Sequence, residues 1–462
     1  MGDPEIGDVV DALRTSHQRG VLRDIEARRA QLRQLQRMLV EREEVFLEAM
    51  AADLGKPAME AYGAEIGLVL GEIKAALKNI DAWCAPERVK VPLAFKPGSA
   101  EVVPEPLGVV LIVAPWNYPL QLLLAPLVPA IAAGNTAVLK PSEVAPATAA
   151  AMAELIPQYL DEGVVTVVTG GVDETTALLA ERFDHIFYTG NGTVGRIVMA
   201  AAAKNLTPVT LELGGKSPAI VAADADIEVA ARRIAWGKFV NAGQTCVAPD
   251  YVLVEAGAED KLMGALLRAV HDFYGDDPAS SPDYGRIINE RHWDRLSALL
   301  DDDGGYDSII CGGHGDRDRR FLPPTVLAGV KPSAAVMQQE IFGPILPVIA
   351  VEDITEAIAF VNDRDKPLAL YVFTSNEDVA DRVIAHTSAG GVCVNHTVLH
   401  VGVGDLPFGG IGPSGMGAYH GKAGFDTFSH RKAVLRKPTK PDPSIIYPPY
   451  KSWKYKLVRR FL

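Results

Sequence analysis

The sequence predicts an α/β fold built on two parallel sheets, and three observations carry that reading. The chain has 462 residues, enough for two to four packed units at roughly 100–200 residues each. Between Val109 and Lys204 short apolar runs alternate with helical stretches, the pattern of βαβ units. A second α/β region runs from about Ser217 to Asn395.

Taken in order, Leu22, Ile25, Leu32, Leu35, Leu39, Phe46 and Leu47 recur near helical spacing with Arg and Glu between them. Two amphipathic helices or one bent helix over Val21–Leu54 fit this pattern, and Gly55-Lys56-Pro57 stops it. A helical stretch over Met59–Trp83 follows, then the Pro-rich segment Pro86–Pro106, in which Glu101-Val102-Val103 reads as an exposed strand. Val109–Ala114 is continuously apolar, as a strand buried on both faces must be. Helix Leu120–Ala133 leads to strand Thr136–Leu139, helix Thr148–Leu160 to strand Val164–Thr169, and helix Glu174–Arg182 to strand His185–Thr189. Helix Val194–Lys204 closes the series. The second region places strands at Ala219–Val221, Tyr251–Val254, Leu346–Ile349 and Leu370–Thr374.

Composition narrows the function. Hydrophobic residues make up 48% and charged ones 22%, which excludes a disordered or collagen-like chain. A net charge of −13 argues against general nucleic-acid affinity. Cys84, Cys246, Cys311 and Cys393 lie far apart with no CxxC pair, pointing to a reducing, cytoplasmic setting without a structural metal. Met1–Asp11 lacks the features of an export signal, and the most apolar window, Pro119–Gly134, is shorter than the roughly 20 residues that span a bilayer. The segment Arg431–Leu462 is different, with ten Lys or Arg and one acid, Asp442. Within it Trp453, Leu457 and Phe461 share a helical face among basic residues, which suits peripheral contact with anionic lipid or packing on the protein itself.

Several short segments can carry chemistry. Gly190-Asn191-Gly192-Thr193-Val194-Gly195 reads as GxGxxG after a strand and before a helix, a backbone able to approach phosphate. Glu212, 22 residues after Gly190, fits either a ribose ligand or, set between Leu211 and Leu213, a carboxylate of raised pKa usable as a base. Cys246 sits in the small-residue loop Asn241–Pro249, exposed and reactive or buried and inert. Asn117, after a buried strand, offers an amide to a developing oxyanion. Lys140 and Glu143 flank a turn after another strand, and Glu340 and Phe342 lie in Gln339–Pro344.

Together these segments resemble the aldehyde dehydrogenase superfamily, close to its class 3 branch. The likeness rests on Pro208–Ser217, Gly243–Asp250, Glu340–Pro344, Leu406–Gly410 and Ser414–Gly421, and it covers nearly the whole chain. It implies two α/β domains plus a small β oligomerisation arm: residues 1–84 and 105–212, with part of 398–419, bind NAD or NADP, and residues 213–397 carry the thiol. Residues 85–104 and 420–462 form the arm and the basic tail. The implied activity is oxidation of aromatic or medium- to long-chain aliphatic aldehydes to carboxylic acids.

By the same resemblance Cys246 is the nucleophile, Asn117 and the Cys246 N–H hold the oxyanion, and Glu212 is the base that hydrolyses the thioester. Lys140 and Glu143 meet the adenosine ribose, Gly190, Asn191, Gly192, Thr193, Val194 and Gly195 lie at the dinucleotide, Glu340 binds the nicotinamide ribose and Phe342 packs near its ring. Tyr62, Tyr118, Trp236, Phe408 and His420 line the aldehyde tunnel, beside a loop, Asn395–Gly404, that departs from the class. The class implies a homodimer, with Glu101-Val102-Val103 in the intersubunit arm. Two rivals stand beside this reading: an acylating enzyme that passes the thioester to coenzyme A, and a catalytically silent structural or membrane-surface protein of the same fold.

Overall fold

The computed structural model describes residues 5–302 and 304–461; the side chain of Phe461 lies outside what it describes. Two large sheets dominate. The first has six strands in the order Gly415–Met416, Val209–Glu212, His185–Thr189, Val109–Val113, Thr136–Lys140 and Val165–Val167. All pair in parallel except Gly415–Met416, which runs antiparallel to Val209–Glu212. The second has seven, in the order Ser308–Cys311, Thr325–Ala328, Ile345–Val351, Tyr251–Glu255, Pro218–Val221, Ala369–Phe373 and Gly391–Val394. Only its edge strand Ser308–Cys311 is antiparallel.

The apolar runs follow from burial on both faces. In Val109–Val113, Val110 and Ile112 join one core with the helix Gln121–Ala133. Val109, Leu111 and Val113 face the other way, onto Val10 and Leu13 of the helix Ile6–Arg19 and onto Val198. A period-2 backbone feeding two apolar layers needs an apolar residue at every position. Helices starting near residue 6 were not legible in the sequence; Ile6–Arg19 buries only Val10 and Leu13 and is otherwise polar.

A third, antiparallel sheet joins Glu87–Val89, Ser99–Pro106 and Ser429–Arg436. The expected strand at Glu101–Val103 is thus the middle of a longer one. Its partner uses part of the basic segment: Arg431 pairs with Glu87, Lys432 with Glu105 and Arg436 with Glu101. Further on, the helix Ser452–Phe461 leaves Trp453 exposed, while Lys454 is buried and donates to the Ser444 and Tyr447 carbonyls. Among the described residues no helix is long and apolar enough to cross a membrane.

The remaining expected elements fall within a few residues of the observed ones. Val21–Leu54 resolves into two helices, Ile25–Glu41 and Glu43–Leu54, and Met59–Trp83 is broken by a wide turn at Tyr62–Ile66 before Gly67–Cys84. The strand carrying Glu212 was not foreseen.

Candidate active site

The sheet edges bring the predicted residues together. Glu212 and Thr189 end adjacent strands of the first sheet and Lys140 ends one two places further on, beyond Val109–Val113, all at the carboxyl edge where open α/β sheets bind ligands. Glu212 is buried, and neither carboxylate oxygen has a hydrogen-bond partner among the described residues. That burial holds its pKa well above the ordinary carboxylate value. Leu211 and Leu213, by contrast, belong to the core with Val10 and Val198, on the other side of the strand from Glu212.

Cys246 follows the helix Ile227–Phe239 and the tight turn Val240–Gly243, where Asn241 (φ 53°), Ala242 (φ 51°) and Gly243 (φ 73°) are all left-handed. A Cβ on Gly243 would lie 2.3 Å from the Gly343 carbonyl oxygen, so glycine is required for this turn to meet the Glu340 segment. The thiol is half-buried. Its pKa is pushed up to about 12, first by burial and then by the charges of Glu340 and Glu212.

Asn117 is buried beside this loop. Its Nδ2 donates to the Gln244 carbonyl at 2.9 Å, which leaves the second amide hydrogen free. Gln244 itself is fixed: its Nε2 donates to the Asn241 and Arg286 carbonyls and its Oε1 accepts from the Ile288 N–H. Tyr118 and Thr245 share a hydroxyl hydrogen bond of 2.7 Å. The two residues before the thiol are thus tied to the segment Asn117–Tyr118.

Glu340 has a pKa raised to about 8, by burial first and by Asp250 second, and its Oε1 is buried without a partner among the described residues. Gly214 makes room for it, since a Cβ there would sit 2.0 Å from Glu340 Oε2. Lys216 donates to Asp250 Oδ2 (2.6 Å) and to the Val336 and Gln339 carbonyls, while Asp250 accepts from the Ile341 N–H. Lys216 and Asp250 therefore bracket Glu340 on both sides. Phe342, at φ 50°, meets Trp116 edge-on at 5.3 Å, and Trp116 packs on His292. Sequence reasoning did not assign Lys216, Asp250 or Trp116 a role, although Lys216 and Asp250 lie inside the motifs it singled out and Trp116 stands next to Asn117.

Asn191 caps the helix Gly192–Ala203 through Val194 N–H at 3.0 Å. The glycines around it have local causes: a Cβ on Gly190 would lie 2.3 Å from the Tyr188 hydroxyl, and one on Gly195 2.9 Å from Leu213. Thr193 and Val194 stand in the first turn of that helix, whose leading N–H groups suit an anion. Lys140 is buried, its pKa lowered by burial, with Nζ 3.6 Å from Glu143 and 2.8 Å from the Pro141 carbonyl. An orphaned Glu340 oxygen, an orphaned Thr189 hydroxyl and a capped helix start fit a polar dinucleotide.

The residues expected at a tunnel are spread out. Phe408 and His420 are buried and stacked 5.5 Å apart. His420 lines a cavity of about 350 Å³ with Gln121, Leu68, Glu72 and Val401. Tyr118 is packed beside the thiol loop. Tyr62 (42% exposed) and Trp236 (37% exposed) do not line that cavity, and Trp236 instead meets His396 edge-on.

With this geometry in hand, comparison with known proteins is decisive: the model of the aldehyde dehydrogenase family matches residues 5–434. The chain belongs to the aldehyde dehydrogenase family. Aldehyde dehydrogenase family 3 member A2 of Rattus norvegicus is 51% identical over 98% of this chain and 94% of its own length. The rat protein named aldehyde dehydrogenase, dimeric NADP-preferring, is 50% identical over 94% of each chain. The solved structure of Staphylococcus aureus AldH in a substrate-bound state superposes with a TM-score of 0.96 at 46% identity, covering 99% of both chains. This member of the class 3 branch is an NAD(P)+-dependent oxidoreductase that oxidises aldehydes. Its two large sheets and small antiparallel sheet are the family's cofactor, catalytic and oligomerisation sheets.

Proposed function

We propose that this aldehyde dehydrogenase converts apolar aldehydes, aromatic or medium- to long-chain aliphatic, into carboxylic acids through an acylated Cys246. The observation that carries the reading is the Asn117 amide bonded to the carbonyl two residues before the thiol, with Glu212 and Glu340 both acting on that sulfur. Before attack the thiol gives up its proton to ionised Glu212, which releases it to solvent before the thioester is hydrolysed. Sulfur then bonds to the aldehyde carbon, and the free Asn117 N–H and the Cys246 N–H take the developing oxyanion. The bound cofactor supplies the hydride acceptor. Glu212, its basicity raised by burial, removes a proton from water as that water attacks the thioester, and Cys246 is regenerated as the carboxylic acid leaves.

Glu340, Lys140, Glu143 and the loop Gly190–Gly195 hold the dinucleotide, with Phe342 against the nicotinamide end. The acid Glu143 favours NAD by accepting from ribose hydroxyls, while the NADP-preferring relative supports use of both cofactors. Tyr62, Tyr118, Trp236, Phe408 and His420 bind the aldehyde by apolar burial at roughly 25 cal/mol per Å². Cofactor residues occupy 1–84, 105–212 and part of 398–419, and thiol-domain residues 213–397. The arm and tail, 85–104 and 420–462, pair two copies into a homodimer, in keeping with the dimeric relative; a sedimentation mass of one chain would refute this. In the cytoplasm the exposed Trp453 and basic neighbours give the tail a peripheral contact with anionic lipid, tested by vesicle binding with and without residues beyond Pro449. Unchanged binding on deletion rejects it.

Steady-state kinetics on aromatic, short and long aliphatic aldehydes with each cofactor, beside Cys246→Ala, test the central reading. The variant is expected to bind cofactor without turnover. Equal activity in both proteins overturns the assignment.

A further inference from the structure

The segment that carries Asn117 is gripped by a buried ion pair that the chemistry above leaves unused. Lys56, just after the helix Glu43–Leu54, and Glu65, in the turn Tyr62–Ile66, hydrogen-bond to each other with side chains wholly shielded from solvent. Lys56 Nζ donates a second bond, 3.0 Å, to the Asn117 carbonyl, and it lies 4.2 Å from the centre of the Tyr118 ring. The other Glu65 oxygen accepts from the N–H groups of Leu120 (2.8 Å) and Gln121 (3.3 Å), where the helix Gln121–Ala133 begins. The Asn117 carbonyl also accepts from Asn241 Nδ2 at 2.9 Å, linking it to the thiol loop.

Stability alone is a poor reason for such a pair. Two charges lose their hydration on burial, and well-packed apolar side chains of equal volume often serve stability as well or better. What apolar side chains cannot do is fix one carbonyl and two N–H groups at set angles. Those three groups bracket Tyr118 and define where the Asn117 backbone lies. With one amide hydrogen already committed to Gln244, the direction of the other depends on that backbone position.

We propose that Lys56, held by Glu65, is a positioning residue for the Asn117 amide, aiming its free N–H at the oxygen of the aldehyde under attack. The proposal rests on the oxyanion reading of Asn117 given above. Neither member of the pair touches the reacting atoms; both act through the Asn117 backbone.

The test is a double-mutant cycle on the full-length enzyme with benzaldehyde and NAD+: wild type, Lys56→Met, Asn117→Ala and the double variant. Misplacing a reacting group by about 1 Å costs up to roughly a hundredfold in rate. Lys56→Met is therefore expected to lower kcat/KM by about tenfold to a hundredfold, with the Kd for NAD+ within about twofold of wild type. In the Asn117→Ala background the same change is expected to cost less than about twofold, because the group it aims is gone. An equal loss in both backgrounds overturns the positioning role while leaving the oxyanion reading intact. Full activity in Asn117→Ala removes both. Should Lys56→Met not fold, Glu65→Gln retains the side-chain shape and an acceptor for Leu120 while giving up the ion pair; the same non-additivity is expected of it, and additive losses refute the proposal.

Discussion

Replacing Glu212 by Gln separates stability from turnover in a way that follows directly from its surroundings. Both carboxylate oxygens are buried without partners among the described residues, and the pKa lies well above the ordinary value of about 4.3. Between those two pH values the folded protein keeps a proton at Glu212 that the unfolded chain has released. Stability supplied by the neutral carboxyl is thus present at low pH and is lost as pH rises, at about 1.4 kcal/mol per pH unit for one proton. Glu212→Gln deletes this titration. The difference in unfolding free energy, variant minus wild type, is expected to grow by about 1.4 kcal/mol per unit as pH rises from the ordinary carboxylate value towards the raised one, levelling off only above the raised pKa. Urea unfolding at a series of pH values measures it. A buried amide adds an offset independent of pH, so the slope alone carries the test. Activity moves the opposite way: the variant is expected to give one equivalent of NADH per thiol and then stall. A stability difference that stays flat over that range refutes the reasoning.

Two further outcomes follow from the thiol loop. With a thiol pKa near 12, alkylation of Cys246 by iodoacetamide in the cofactor-free protein is expected to quicken about tenfold per pH unit between roughly pH 7 and 9, read by peptide mass spectrometry; a rate that is already level by pH 8 contradicts this. Gly243→Ala places a Cβ 2.3 Å from the Gly343 carbonyl at φ 73°, where backbone atoms cannot rotate away. Strain and overlap together are expected to cost about 2–5 kcal/mol and to lower kcat at least about tenfold. An unchanged melting temperature and kcat would show that the two segments do not meet as described.

Much of the fold was legible because its central strands are covered on both faces. Val109–Val113 is buried throughout and is an unbroken apolar run, while His185–Thr189, equally buried, keeps Ile186, Phe187 and Tyr188 at its centre. Val209–Glu212 and Gly391–Val394 escaped because they are short, partly exposed, and carry Thr or Gly in place of a continuous run. Ser429–Arg436 read as part of a basic surface segment, since its Arg and Lys face acids on strands more than 300 residues earlier. At the site, Cys246, Glu212 and Asn117 stood out by motif. The supports were not. Lys56 meets Asn117 across 61 positions, Asn117 meets Gln244 across 127, and Lys216 reaches Gln339 across 123. Spacing along one chain holds no record of such contacts, which only the packing of two sheets creates.

The most direct measurement is to quench the enzyme during turnover of an aldehyde with NAD+, digest it and locate the bound acyl group by mass spectrometry. The account predicts an acyl thioester on the peptide containing Cys246, accumulating in Glu212→Gln and absent from Cys246→Ala. An acyl group on another cysteine, or turnover with no acylated peptide at any stage, contradicts it.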